Sequence, residues 1–449
     1  MQRILLVGGS LGLGALAMSQ NSSLFAEEKK KRHYQVLVVG GGTGGLCVAN
    51  QLKRKGVTGL GIVEPSEVNY YQPGWTMVGA DLLKMQQTVD DTKKYIPQGA
   101  DWIKVPAKTF NADENKVILE GGEEVSYDYL IVATGIQLNY ENVKGLKEAI
   151  EADFDKDKGA CSVYQSRYVQ GVYRKVDNLK QGDTAIFSQP NTPIKCGGAP
   201  QKIMYLTQDH LRRKGLTANI SFIIPQAKIF GVPYMAPILA DLCKKRNIAT
   251  QFGEVLVEVR GEERIAVFKK GDELIEYKYD LLHTPPPMGP TNCLKGTSLV
   301  TASGFVDVDA KTLQHKKYSN VYALGDCSAA PTAKTAAAVT SQAPVVVHNL
   351  MATMNGKKPN AEYDGYTSCP IVTGKGKLIL AEFKYGGEAK ESFNHFPYSL
   401  IFNQREENYP MYFLKHTVFP RAYWYLLKGR WYGTKGIFEP KFEEAKENA

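Results

Sequence analysis

Two cysteines carry the first chemical signal in this chain. Cys196 lies in Thr-Pro-Ile-Lys-Cys-Gly-Gly-Ala-Pro at 192–200, and Cys369 in Gly-Tyr-Thr-Ser-Cys-Pro at 365–370. The Cys196 loop runs into a helical pattern over 201–213, with Pro200 suited to the first turn. Cys196 is therefore expected close to a helix N-terminus, beside Lys195 and within about a turn of Lys202. Positive potential of that kind lowers a thiol pKa and raises the thiolate fraction, which suits sulfur redox chemistry. A purely structural cysteine needs neither the double glycine nor the lysines. The loop around Cys369 has glycine and proline at its edges and leaves packing and reactivity equally open.

The other cysteines are Cys47, Cys161, Cys243, Cys293 and Cys327. They are widely spread, with no Cys-x-x-Cys, which excludes the close-spaced zinc, thioredoxin-like and covalent c-haem patterns, and no metal is expected. Cys47, Cys243 and Cys327 read as small buried hydrophobes. Cys161 is open to a reactive role, with packing favoured.

The elements that must position such a pair begin with the apolar run 36–39. It ends in Gly40-Gly41-Gly42-Thr43-Gly44-Gly45 and turns helical from Leu46 to about Lys55. This is a strand, a Gly-x-Gly-x-x-Gly turn and a helix start, the arrangement that binds a dinucleotide pyrophosphate. Gly40 serves the tight turn, Gly42 the close approach of backbone amides to phosphate, and Gly45 the helix packing. A second strand, 60–63, ends in Glu64, at the ~20-residue offset expected of a ribose acceptor. Tyr129 to Gly135 and Ser319 to Asp326 read as two further buried strands, ending in Ala-Thr-Gly and Gly-Asp. These resemble motifs of flavoproteins of the pyridine nucleotide disulfide reductase type, which implies FAD, with Gly135 at one turn and Asp326 at the ribityl chain.

The middle of the chain departs from that pattern. The strand 184–188 is followed by Gln-Pro-Asn-Thr-Pro-Ile-Lys-Cys and not by a second glycine motif. Pro190 and Pro193 remove donors where a phosphate would want them. The next strand, 219–224, meets Pro225 without an acidic ribose acceptor. A nicotinamide scaffold is thus expected to survive with a cysteine in place of its binding chemistry.

Length and alternation fix the frame. With 449 residues, 43% of them hydrophobic, the chain can bury a large core. The expected fold class is α/β, doubly wound, with two Rossmann-like dinucleotide-binding domains and a C-terminal membrane-attachment region. The expected divisions are a targeting segment and linker at 1–33, a discontinuous FAD domain at 34–157 and 291–390, a second Rossmann-like domain at 158–290, and the C-terminal region at 391–449.

From 409 to 435 no acidic residue occurs. Lys415, Arg421, Lys428, Arg430 and Lys435 alternate there with Tyr412, Phe413, Phe419, Tyr423, Trp424, Tyr425, Trp431 and Tyr432. This mixture suits a membrane headgroup layer, and no run there reaches the ~20 apolar residues of a bilayer span. One-leaflet, monotopic attachment is expected, and no recognition fold argues for nucleic acid. The net charge of +9 fits an anionic membrane or anionic substrates. Residues 4–18 are apolar and glycine-rich after Arg3, and no acid appears before Glu27, the profile of a targeting segment.

The stretches 192–202, 365–374, 334–338 and 64–76 together resemble the eukaryotic mitochondrial sulfide:quinone oxidoreductases, and the similarity runs from about 34 to about 433. The resemblance implies that Cys196 and Cys369 are the redox pair, bridged at rest by a disulfide or by one extra sulfur. It implies FAD contacts at Thr43, Gly44, Glu64, Gln72, Ala107, Asp326, Lys334, Thr335, Ala336 and Ala337. It further implies hydrogen sulfide as substrate, ubiquinone as electron acceptor, and glutathione, sulfite or cyanide as sulfur acceptor. The expected location is the mitochondrial inner membrane, with a secretory or periplasmic membrane surface as the alternative. Two rival readings of the same scaffold are a type II NADH:quinone dehydrogenase and a flavoprotein that acts as a binding module.

Overall fold

Val36 to Val39 form an unbroken apolar run, the pattern of a strand buried on both faces. The strand Arg32–Val39 takes the interior of a seven-stranded sheet. It pairs in parallel with Leu60–Val63 on one side and Glu124–Val132 on the other, and Asp101–Ile103 continues the sheet beyond Leu60–Val63. The far edge of Glu124–Val132 is shared. Its first half meets the antiparallel hairpin Ala107–Asn111/Lys116–Leu119, and its second half meets Val321–Ala323. That last strand arrives only after the chain has built another domain. The computed structural model of the chain describes residues 32–443, so the apolar segment 4–18 lies outside the described residues.

The second sheet is five-stranded and wholly parallel, in the order Gly159–Cys161, Leu281–His283, Thr184–Ser188, Asn219–Ile224, Ala249–Phe252. The helix Ala199–Arg213 follows Thr184–Ser188, with Pro200 in its first turn. The chain is thus α/β with two dinucleotide-type sheets, the first parallel at its centre with an antiparallel hairpin at one edge and the second wholly parallel.

Two elements differ from the sequence expectation. The first helix is Thr43–Arg54 and begins inside the glycine turn, because the Leu46 N–H already donates to the Gly42 carbonyl at 3.1 Å. The stretch around Cys369, read as a loop, is the hairpin Thr367–Gly374/Lys377–Phe383, which packs on Ala199–Arg213 and joins an apolar cluster that also takes in Trp75 and Met77. Its apolar residues Ile371, Val372, Leu378 and Ile379 find their cover there.

Candidate active site

The glycine turn is built as its spacing demands. Gly40 has φ +105°, and a Cβ on it would meet the Ala133 carbonyl oxygen at 2.3 Å. A Cβ on Gly45 would lie 1.7 Å from the Gly40 oxygen, so the helix can approach its strand only through glycine. Gly42 has nothing within 4 Å of its missing side chain and opens on a cavity of about 960 Å³. Gly40, Thr43, Gly44, Glu64, Gln72, Gly135, Asp326, Lys334, Thr335, Ala336 and Ala337 line the same cavity. Gly45 stands behind the wall as a packing residue, and Ala107 opens the outer hairpin strand away from the lining.

The Glu64 carboxylate accepts one backbone N–H on each oxygen, from Gly41 at 2.7 Å and from Ser66 at 2.6 Å, so lone pairs remain for a sugar hydroxyl. Burial raises its pKa, and the two N–H donors act against that. Thr335 caps the helix Ala336–Met354, accepting from the Ala338 N–H. The N-termini of Thr43–Arg54 and Ala336–Met354 therefore both border the cavity, and both favour negative charge. The indole N–H of Trp75 and the hydroxyl of Thr76, on lining residues, have no partner in the protein. Amide-rich helix starts, a ribose-type carboxylate and unpartnered donors fit a dinucleotide cofactor.

The sulfur pair forms the far wall. Cys196 has φ +49°, a left-handed conformation that a non-glycine residue holds only under constraint. The constraint is visible on both sides. Its N–H donates to the Lys334 carbonyl at 2.7 Å, and its own carbonyl accepts from Ala199 N–H at 2.9 Å and the Tyr164 hydroxyl at 3.1 Å. The cysteine loop of one domain is thereby tied to the cofactor cradle of the other. Cys369 sits on Thr367–Gly374, whose Thr367 hydroxyl lies 2.7 Å from that of Thr335. The two cysteines are unbridged, and each lies near enough to shift the ionisation of the other. Cys196 lines the cavity and Cys369 lies buried behind it.

Lys202 Nζ lies 3.3 Å from Cys196 Sγ. The hydrogen bond from Cys369 holds Cys196 well below the ordinary thiol range against the cost of burial, helped by the Lys202 and Lys415 charges. Cys369 is pushed well above that range by the same hydrogen bond and by burial. Burial disfavours the Lys202 charge, but the two sulfurs outweigh it and lift Lys202 to about 12. One site therefore brings two sulfurs of opposed acidity together beside an ammonium.

Similarity to known proteins agrees with this geometry. The model of the pyridine nucleotide-disulphide oxidoreductase family matches residues 34–166. A mitochondrial sulfide:quinone oxidoreductase of Dictyostelium discoideum is 45% identical over 405 residues, covering 89% of this chain and 87% of that protein. The mouse protein of the same name is 42% identical, with 87% and 86% covered. The chain belongs to the sulfide:quinone oxidoreductase family. The sulfide:quinone oxidoreductase structure from Aquifex aeolicus shares the fold, with a TM-score of 0.71 at 17% identity over 89% of this chain and 92% of that one. As a member of the sulfide:quinone oxidoreductases, the chain is an enzyme, an oxidoreductase.

Among the other cysteines, Cys47, Cys243 and Cys327 are buried and raised by burial, as packing residues should be. Cys161 is buried in its strand and pushed up to about 12, which suits packing and not reactivity. Cys293 is half-buried, its thiol beside the Thr291 hydroxyl at 3.4 Å.

Lys415 corrects the sequence reading. Expected at a membrane headgroup layer, it is 2% exposed and lines the cavity, donating to the Pro73 carbonyl at 2.7 Å and the Tyr71 hydroxyl at 3.2 Å. Burial and the Lys202 charge bring it down to about 7, and the sulfurs act the other way. The signal was its position, four residues after Met411 on the stripe that Ala422 continues, the buried face of a helix. Tyr412, Tyr423 and Tyr432 are likewise buried. Tyr423 is 3.0 Å from the Thr43 hydroxyl and ties the C-terminal helix Phe419–Leu427 to the glycine turn.

Proposed function

We propose that the chain oxidises hydrogen sulfide at the Cys196–Cys369 pair and passes two electrons to a membrane quinone, ubiquinone in mitochondria. The observation that carries this reading is the meeting of the two sulfurs, under Lys202, on the wall of a cavity that continues to a dinucleotide cradle. The names of its relatives point the same way.

In the resting enzyme the pair is bridged, directly or through one extra sulfur. Hydrosulfide attacks the Cys369 sulfur of a disulfide, leaving a persulfide there and releasing Cys196 as a thiolate. Lys202 favours both anions, the one arriving and the one leaving. An acceptor such as glutathione, sulfite or cyanide then takes the outer sulfur of Cys369. FAD, when bound, would supply the two-electron chemistry that links re-forming of the bridge to reduction of a quinone. Gly42 and Thr43 suit its pyrophosphate, Glu64 its ribose, and Asp326 with Lys334, Thr335, Ala336 and Ala337 the remainder.

Access to a quinone rests on the exposed apolar residues at the C-terminal end of the cavity. Phe396, Leu400, Ile401, Ile437 and Phe438 are each 68–77% exposed, next to lining residues His395, Tyr398, Lys435 and Gly436. No described helix is long and apolar enough to cross a membrane. A one-leaflet attachment is the reading these residues support, and the names of the relatives point to a mitochondrial membrane for it.

Anaerobic titration of the purified holoprotein decides the function. Flavin bleaching by sulfide, reversed by a short-chain quinone and abolished in Cys196→Ser and Cys369→Ser, is the expected result. Bleaching by NADH alone replaces this reading with the dehydrogenase one, and full sulfide oxidation in both variants removes the mechanism.

A further inference from the structure

The two glycines after Cys196 do different work. Gly198 has φ −86° and ψ −3°, a conformation open to any residue, so its backbone does not require glycine. Its space does. A Cβ at 198 would lie 2.5 Å from Cys369 Sγ, while Phe230 and Lys202 stand at 3.5 and 3.8 Å. Gly197, one residue earlier, has nothing within 4 Å of the same atom. The sulfur of Cys369 thus occupies the volume where the side chain of residue 198 would be.

We infer that Gly198 is a positioning residue, and that its missing side chain is the seat that holds Cys369 Sγ beside Cys196. Any β-carbon there displaces the sulfur by roughly 1 Å, the difference between 2.5 Å and an ordinary contact of about 3.5 Å. A disulfide tolerates little such movement, since its S–S length is fixed near 2.05 Å and its Cβ atoms near 3.8 Å. Cys369 has no easy retreat, because it lies buried on a strand paired Cys369 to Ala381. Cys196 cannot follow it, being held by the Lys334 and Tyr164 hydrogen bonds.

The inference rests on the Cys196–Cys369 pairing of the proposed function, but its test reads the bridge and not sulfide turnover. Reduced full-length protein is mixed with oxidised glutathione. One glutathione disulfide becomes two glutathione thiols as the two cysteine thiols lose their protons and two electrons to form one bridge. The bridged peptide is followed by alkylation and mass spectrometry in wild type, Gly197→Ala and Gly198→Ala. Slowing on the order of 100-fold is expected at 198, from a displacement of this size. Gly197→Ala is expected to bridge at the wild-type rate. Equal rates in all three proteins overturn the inference, and so does equal slowing in both variants. A wild-type chain that forms no such bridge overturns the pairing and the inference together.

A thermal-melting cycle keeps the test independent of bridging. Gly198→Ala is expected to lower the melting temperature of the Cys369 protein, and to do so much less in a Cys369→Ala background, where no sulfur is met. The same drop in both backgrounds shows a helix-cap effect only and overturns the inference.

Discussion

The ammonium of Lys202 lies 3.3 Å from the sulfur of Cys196, with Lys202 only 2% exposed, so the charge that activates the thiol has little water to screen it. A hydrogen bond to a charged group is worth about 1.5–3 kcal/mol, or roughly 10–150-fold in an equilibrium. Replacing Lys202 with Met is therefore expected to move the alkylation midpoint of Cys196 to higher pH and to slow its reaction at pH 7 by about tenfold or more. Iodoacetamide rates against pH, read on the Cys196 peptide, check this. An unmoved midpoint assigns the lowered pKa to Cys369 or to the helix.

Lys415 gives a stability signature. Below pH 7 it is charged in both folded and unfolded chains. Between about 7 and its ordinary value of 10.5 the unfolded chain keeps a proton that the folded one has released. Stability from this group therefore rises with pH across that window and is lost as pH falls through 7. Lys195, brought down to about 8 by burial against the pull of Asp326, adds the same slope. Lys415→Met is expected to flatten the melting temperature between pH 7 and 10 relative to wild type. Parallel curves for the two proteins count against it.

The glycine turn separates folding from cofactor binding. A methyl at Gly45 collides with the Gly40 carbonyl, so Gly45→Ala should fail to fold or melt far lower. A methyl at Gly42 meets only the cavity, so the apoprotein should melt as wild type does while its flavin content falls at least severalfold. Absorbance at the flavin band and melting of apoprotein measure both. Full flavin in Gly42→Ala contradicts the assignment of that wall to a pyrophosphate.

Membrane attachment is best probed by substitution, because the C-terminal segment also builds the site through Lys415 and Tyr423. Phe396→Ser, Leu400→Ser and Ile401→Ser together remove exposed apolar surface without touching the core. At about 25 cal/mol per Å² of buried apolar area, their loss should reduce liposome binding by an order of magnitude or more. Co-flotation with liposomes reports it, and flavin content should not change. Undiminished flotation counts against these residues as a membrane-attachment surface.

What the sequence determined by itself was local and periodic. The spacing Gly40, Gly42, Gly45 with Glu64 was enough to read a dinucleotide turn, since each of those roles depends on neighbours along one strand, turn and helix. The absence of a second glycine motif before Cys196 was equally legible, as were Pro200 and the helix that follows it. Cys369 was not legible from its own loop. Its partner comes from a different element, and only the resemblance to a family joined the two. Tertiary structure decided the rest. It placed the Cys369 hairpin on the second domain's helix, put Lys415 inside the cavity instead of at a headgroup, and split the roles of Gly197 and Gly198. The physical reason is common to all three. Burial and sulfur contact depend on which distant surfaces meet, and a basic, aromatic stretch has the same pattern whether its lysine faces lipid or a thiolate.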